Sequence, residues 1–228
     1  MRNLALMWVL AGVAVALLAA GDGKPPVSTY TDKRDGKVYK IVQIGSQTWM
    51  AQNLNYAAKG SKCYGEGGKV IIGYSKDDNA ITTTLSNAEV QANCAKYGRL
   101  YDWETALTAC PAGTHLPTVD EWTTLMNIVG GSKTAGKKLK STAGWNINGN
   151  GTDDYGFAAL PGGVGDSDGY FDFTGYLGCW WSATEFTAYY AWYRYTVYDT
   201  ETVYRNFGNK TNLQSVRCVL DDGKEERK

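Results

Sequence analysis

Apolar positions dominate Val38–Ile44, a β-branched and aromatic run broken only by Lys40 and Gln43 and ended by Gly45 and Ser46. Apolar character resumes over Gln47–Leu54 with Trp49 and Met50, so the two runs predict a hairpin. From Ser61 to Thr84 the chain is polar and glycine-rich, which predicts a loop insertion. Helical signals follow. Ser86 and Glu89 form a capping box, in which each side chain satisfies a free backbone N–H of a helix's first turn. A short helix is expected from there to Tyr97, with Gly98 as its stop. Asp102 is placed to cap a helix carrying Trp103, Ala106, Leu107 and Cys110 on one face, ended by Pro111 and Gly113. Thr118 and Glu121 form another capping box. It opens the most regular helix of the chain, with Val119, Trp122, Leu125, Met126 and Val129 on one side and Gly130-Gly131 as its stop. Lys137–Ser141 ends one further short helix.

The second half reads as β-structure and long turns. Trp145–Gly178 is dense in Gly, Asn and Asp, yet Phe157, Leu160 and several tyrosines anchor it, so an ordered loop region is expected rather than a solvated linker. Trp180–Tyr198 has strand patterning with aromatic residues on both faces. Tyr190, Trp192, Arg194, Thr196 and Tyr198 lie on one side; Tyr189, Ala191, Tyr193, Tyr195 and Val197 lie on the other. Val203–Phe207 and Ser215–Leu220 are expected to complete an antiparallel set, and residues 221–228 to form a charged tail.

The first residues carry a different signal. Leu4–Ala20 is an uncharged apolar run behind Arg2, followed by small residues at Gly21 and Gly23. At about 1.5 Å per residue the run reaches roughly 25 Å, short of a hydrocarbon core of about 30 Å. A signal peptide over residues 1–22 is therefore expected, with an uncleaved anchor as the alternative, and a linker over residues 23–31. Leu18-Ala19-Ala20 is similar to the start of a bacterial lipoprotein box, but Gly21 stands where the lipid-bearing cysteine would be. The expected destination is the periplasm, the outer-membrane surface or the medium, with no membrane span in the mature form.

Charge and cysteine content narrow the chemistry. The 228 residues include 23 basic and 23 acidic side chains, which argues against capture of nucleic acid. The 16 tyrosines and 8 tryptophans are the unusual part of the composition. Five cysteines with one histidine and no C-x-x-C pair argue against a zinc site, whereas export favours disulfides.

Asp35–Lys40, Ile44–Ala51 with Asn53–Tyr56, Tyr97–Trp103, Cys110–Trp122, Gly151–Phe157 with Ala159–Gly162, Trp180–Thr184 and Ser215–Val219 resemble the Fibrobacter succinogenes major paralogous domain family over residues 32–220. The family occurs in exported, often lipid-anchored bacterial proteins and implies no particular activity. A wider resemblance is to the C-type lectin-like fold, including its formylglycine-generating-enzyme branch. It implies an α+β fold with antiparallel sheets, two main helices and a long Gly-rich loop region, stapled by disulfides. The same resemblance implies a Cys110–Cys218 bridge, with Cys63–Cys94 as the second and Cys179 left over.

No catalytic residue stands out. The Glu-Pro-Asn and Trp-Asn-Asp motifs of calcium-dependent lectins are absent. Asn146, Asn148 and Asn150 sit at calcium-loop spacing, with Asp153 and Asp154 nearby, but the twelfth position is Phe157 rather than Glu. Turn chemistry is the reading adopted for them, with a structural calcium at Asn148, Asn150, Asp153 and Asp154 as the alternative. Asp166–Gly169 is a shorter candidate of the same kind. No other cofactor is expected. His115 lies in a structural signature, and a packed or capping role is expected for it. An oxidase of the formylglycine-generating type needs a pair of soft thiolates for copper, and one free cysteine does not supply it.

The aromatic strand is the remaining feature, because rings stack on the C–H faces of sugars and anchor protein interfaces. Tyr189, Tyr190, Trp192, Tyr193 and Tyr195, with the loop aromatics Tyr170, Phe171 and Tyr176, are the expected binding residues, partly exposed and roughly coplanar. The expectation is an exported, non-catalytic binding domain of the cell envelope that recognises a glycan or a cell-surface protein. An enzyme of the formylglycine-generating type and a structural envelope component are the alternatives.

Overall fold

The computed structural model describes residues 28–221. The expected signal peptide lies outside the described residues, as do the first part of the linker and all of the charged tail beyond Asp221. Ser28–Thr31, the end of that linker, is strand β1. It pairs antiparallel with β2 (Val38–Ile44), which forms the expected hairpin with β3 (Gln47–Met50). Next come β4 (Lys69–Tyr74), β5 (Ala80–Thr83), α1 (Asn87–Tyr97), β6 (Leu100–Tyr101), α2 (Trp103–Ala109), β7 (Thr114–His115), α3 (Val119–Ile128) and α4 (Ser132–Leu139). Then follow β8 (Val164–Gly165), β9 (Tyr170–Asp172), β10 (Leu177–Glu185), β11 (Tyr190–Val197), β12 (Tyr204–Asn209), β13 (Gln214–Ser215) and β14 (Val219–Leu220).

The strands form three open sheets, in the orders β1-β2-β3-β14-β7, β12-β11-β10-β13-β6 and β5-β4-β9-β8. Two pairings are parallel, β10 with β13 and β4 with β9. The architecture is α+β and disulfide-bonded, but the expected C-type lectin-like fold is corrected on two counts. The described chain has four helices rather than the two main ones the resemblance implies, and its sheets are open, two of the three being mixed rather than antiparallel. The additional helices have local causes. Helix α1 has its capping box formed, and Cys94 ties it to Cys63. Helix α4 buries Ala135 and Leu139 in the core, which holds a segment whose first turn lacks a side-chain cap.

The expected loops also contain strands. Val70 of β4 is buried, whereas the rest of that strand is partly or fully exposed, so its alternation is nearly silent in the sequence. It is held by β9, about a hundred residues later in the chain, through the pairs Lys69–Tyr170 and Val70–Phe171.

Two cores lie on opposite faces of the first two sheets. Val42, Ile44 and Trp49 pack with Trp122, Leu125 and Met126 of α3 and with Trp180. Tyr39, Ile41 and Met50 pack with Trp103 and Ala106 of α2 and with Trp181. The period of two thus sends neighbouring tryptophans of β10 to different cores. Their indole N–H groups are satisfied, Trp180 donating to Asn53 Oδ1 at 2.9 Å and Trp181 to the Tyr101 carbonyl at 2.8 Å. Arg217 is fully buried beside them. Its guanidinium donates to Asn53 Oδ1 at 2.8 Å and to the Phe157 carbonyl, and burial lowers its pKa to about 9.

Cys110–Cys218 closes 108 residues and joins the end of α2 to the last strand; Cys63–Cys94 closes 31. Loss of chain entropy in the unfolded state makes these worth roughly 5 and roughly 4 kcal/mol. Cys179 is free and buried.

Candidate functional site

A cavity of about 760 Å³ lies over the outer face of β10–β13. Register decides which side chains reach it. Cys179 of β10 opposes Tyr195 of β11, Leu177 opposes Val197, and Tyr193 opposes Asn206 of β12, so these six share one face and form the floor together with Gln214. Tyr170, Asp172, Phe173 and Tyr176, on and after β9, make one wall, and Tyr198 and Asp199 complete the rim. The wall is aimed by its own alternation. Phe171 is fully buried on Tyr64, with ring centroids 5.4 Å apart, which turns Tyr170 and Asp172 the other way. Gly175 then turns the chain at φ 85°, where a Cβ would press on the Asn146 side chain, and delivers Tyr176 to the cavity. A second space of about 590 Å³ adjoins the first and shares Ile71, Asp172, Phe173, Tyr176 and Tyr198 with it.

The lining is aromatic and polar. Burial raises the Tyr193 phenol to about 12, and burial likewise raises Tyr195, so both stay neutral hydrogen-bonding groups at ordinary pH. The Cys179 thiol is pushed well up by burial and donates to Gln214 Oε1 at 3.1 Å. Asp166 Oδ1 accepts from the amides of Asp168 and Tyr170. Asp172 accepts from the Phe173 amide through Oδ1 and from the Tyr74 hydroxyl through Oδ2. Six rings, the amides of Asn206, Asn212 and Gln214 and the carboxylates of Asp166, Asp172 and Asp199 therefore meet around one space.

The expected binding residues divide. Tyr170, Tyr176, Tyr193 and Tyr195 line the cleft. Tyr189, Tyr190 and Trp192 do not. Tyr190 and Trp192 lie at the far end of the β11–β12 pair, against Phe207, and Phe186 stacks on Phe207 at 4.1 Å. Phe171 is core rather than binding surface. The rings are also not coplanar: Tyr176 meets Tyr198 at 83°, and Tyr193 meets Tyr195 at 50°. Phe173, Asp172, Asp199 and the three amides of the cleft were not anticipated, while Asp166 was read only as a calcium-loop candidate and Tyr198 only as part of the strand's alternation, because no periodic signal shows which segments meet there.

The other candidates resolve locally. Asn150 Oδ1 accepts from the Trp145 amide and Asp153 Oδ1 from the Ala158 amide, while Asn148 and Asp153 have φ of 58° and 48°. These are turn roles; Asn148 and Asp154 are exposed. Among the described residues no group of three or more His, Cys, Asp or Glu is placed to hold a metal ion. His115 joins two chain segments, with Nδ1 2.5 Å from Asp221 Oδ1 and Nε2 2.6 Å from Glu121 Oε1. Asp221, placed in the expected tail, is thus held, and its amide also donates to Gly113.

An aromatic-lined cleft on a disulfide-stapled α+β scaffold defines the class of domain. The chain matches the Fibrobacter succinogenes major domain over residues 42–220 and belongs to that family. No curated protein and no solved structure matches it. Among the described residues no helix is long and apolar enough to cross a membrane.

Proposed function

We propose that this is an exported, non-catalytic binding domain of the cell envelope that recognises a glycan. The observation that carries the reading is the cleft of about 760 Å³, in which Tyr170, Phe173, Tyr176, Tyr193, Tyr195 and Tyr198 surround side-chain amides and carboxylates. Rings pack on the C–H faces of sugars, and amides and carboxylates pair with hydroxyls. The adjoining space of about 590 Å³ supports an oligosaccharide rather than a single sugar, since a chain can continue past Phe173. Disulfides and the apolar Leu4–Ala20 run support export.

The test is retention of the domain on a glycan array and in polysaccharide affinity gels, for the parent protein and for Tyr176→Ala with Tyr198→Ala. Both rings border both spaces. A ring stacked on a ligand contributes on the order of 1 kcal/mol beyond burial, so the pair should weaken binding about tenfold or more. Glycan retention unaffected by the double substitution would remove the cleft from the reading.

A further inference from the structure

The cleft has a charge bias that its rings alone do not require. Asp166, Asp172 and Asp199 line it, and no Lys, Arg or His does. None of the three is within an ion pair among the described residues, whereas other surface carboxylates are paired, such as Glu185 with Lys210 at 2.7 Å and Glu201 with Lys137 at 3.1 Å. Basic groups stand outside the cleft, although the Lys140 ammonium feels the charge of Asp199 at the rim. Lys140 gives its ammonium to the carbonyls of Val197, Tyr198 and Thr200 behind the rim. Lys62 and Lys210 border a smaller space beside Asp166.

Asp172 is the centre of this arrangement. It lines both large spaces and stands where they join, beside Phe173 and Tyr176. Its negative charge also raises the pKa of the Tyr74 phenol that donates to it. Ring faces carry negative quadrupole potential and attract cations, and carboxylates at the rim add a full charge to that field.

We propose that the cleft selects positively charged ligands, and, resting on the glycan reading above, that its ligand is an oligosaccharide of amino sugars with free, protonated amines. Asp172 takes the ammonium at the junction of the two spaces, with the Tyr176 and Phe173 rings beside it. Acetylation of the amine removes the charge while leaving the sugar ring, so it separates the two parts of the recognition.

The experiment is calorimetric titration in mildly acidic buffer with three probes: a glucosamine oligomer, its N-acetylated counterpart and tetramethylammonium. Parent protein is compared with Asp172→Asn, which keeps the oxygen that accepts from the Phe173 amide. Thermal melting of both proteins establishes that the variant is folded. Free-amine oligomers are expected to bind at least tenfold tighter than acetylated ones, with the preference cut severalfold in Asp172→Asn and reduced by added salt. Equal affinity for the two oligomers, or a preference untouched in folded Asp172→Asn, overturns the charge selection and leaves glycan recognition standing. Binding of tetramethylammonium without either oligomer sustains the charge selection and overturns the glycan reading. Failure of all three probes to bind overturns both.

Discussion

Strand β11 carries aromatic residues at both of its ends, and the two groups have opposite fates. At the tip, Phe186 stacks on Phe207 at 4.1 Å and meets Trp192 edge-on at 4.8 Å, while Arg205 lies 4.7 Å from the Trp192 ring. These rings satisfy one another. In the cleft, Tyr176 meets Tyr198 and Tyr193 meets Tyr195, with Trp181 beneath Tyr193 and Tyr204 stacked on Tyr195, yet these tyrosines still border about 760 Å³ of open space. Both groups are aromatic, phenylalanine and tryptophan at the tip and these tyrosines in the cleft; the difference is whether a cavity borders them. Exposure alone does not separate the groups, since Phe186 at the tip is 43% exposed and Tyr176 in the cleft 39%. What a ring touches is therefore a better guide to binding than how much of it is wet.

The largest expected effect comes from beneath the cleft. Trp181 is fully buried, and its ring meets Tyr193 edge-on at 6.0 Å. Trp181→Ala should cost about 3–5 kcal/mol of stability by denaturant titration, and ligand retention should fall with it. A variant that melts like the parent would mean the floor of the cleft is not built on the core.

The comparison is tested most directly by substituting rings at each end. Tyr176→Ala with Tyr198→Ala should weaken binding about tenfold or more, with a smaller loss of stability because both rings are part-exposed. Phe186→Ala with Phe207→Ala should do the reverse. Losing their mutual stacking costs about 0.5–1.5 kcal/mol beyond burial, and glycan retention should be unchanged. Selective loss of binding in the tip variant would reassign the site to that end of the strand.

The smallest effect concerns the His115 clasp, which is distant in role from both ring groups and serves as a control. Burial opposes protonation of His115, but hydrogen bonds to Glu121 and Asp221, with their charges, outweigh it and raise its pKa above 6.5. Its contribution is thus fully present below that ordinary value and lost as pH rises through the folded one. Burial also opposes ionisation of Glu121, but the Thr118 amide and His115 lower its pKa below 4.5. That contribution is present above the ordinary value and lost as pH falls through the folded one. His115→Gln should therefore lower the melting temperature more in mildly acidic than in mildly alkaline buffer. The clasp is part-exposed and screened, so the effect is on the order of 1 kcal/mol at most. An equal loss at both pH values would show that His115 contributes packing rather than charge.

How much was legible depended on how local each signal is. The capping boxes at Ser86 and Thr118 are formed, because a cap and its partner lie three residues apart and need no other part of the chain. The alternation of Trp180–Tyr198 is present as strand structure, because a period of two with bulky residues is a local signal, but it is split into β10 and β11 by a turn at 186–189 that the alternation did not reveal. Strands β4, β5, β8 and β9 were hidden in polar, Gly-rich segments. β4 pairs with β5 and β8 with β9 locally, but the sheet is joined by the β4–β9 pair, about a hundred residues apart, and only Val70, Phe171 and Gly165 among them are buried. The four helices were each legible from local caps and stops, and it was the lectin-like resemblance that supplied a count of two and purely antiparallel sheets; the parallel pairings escaped because they join segments distant in the chain.

The residues by themselves determined the family, the local caps, the β10–β11 alternation and an unusual supply of aromatic rings. Only the tertiary structure decided which rings close on one another and which border a cavity. Periodicity assigns a side chain to a face of its own strand, but the cleft also needs Phe173 and Tyr176 from a loop with no period and Asn206 from a neighbouring strand. Where those segments lie relative to the sheet is settled by non-local pairing and packing, and no window of sequence contains that information.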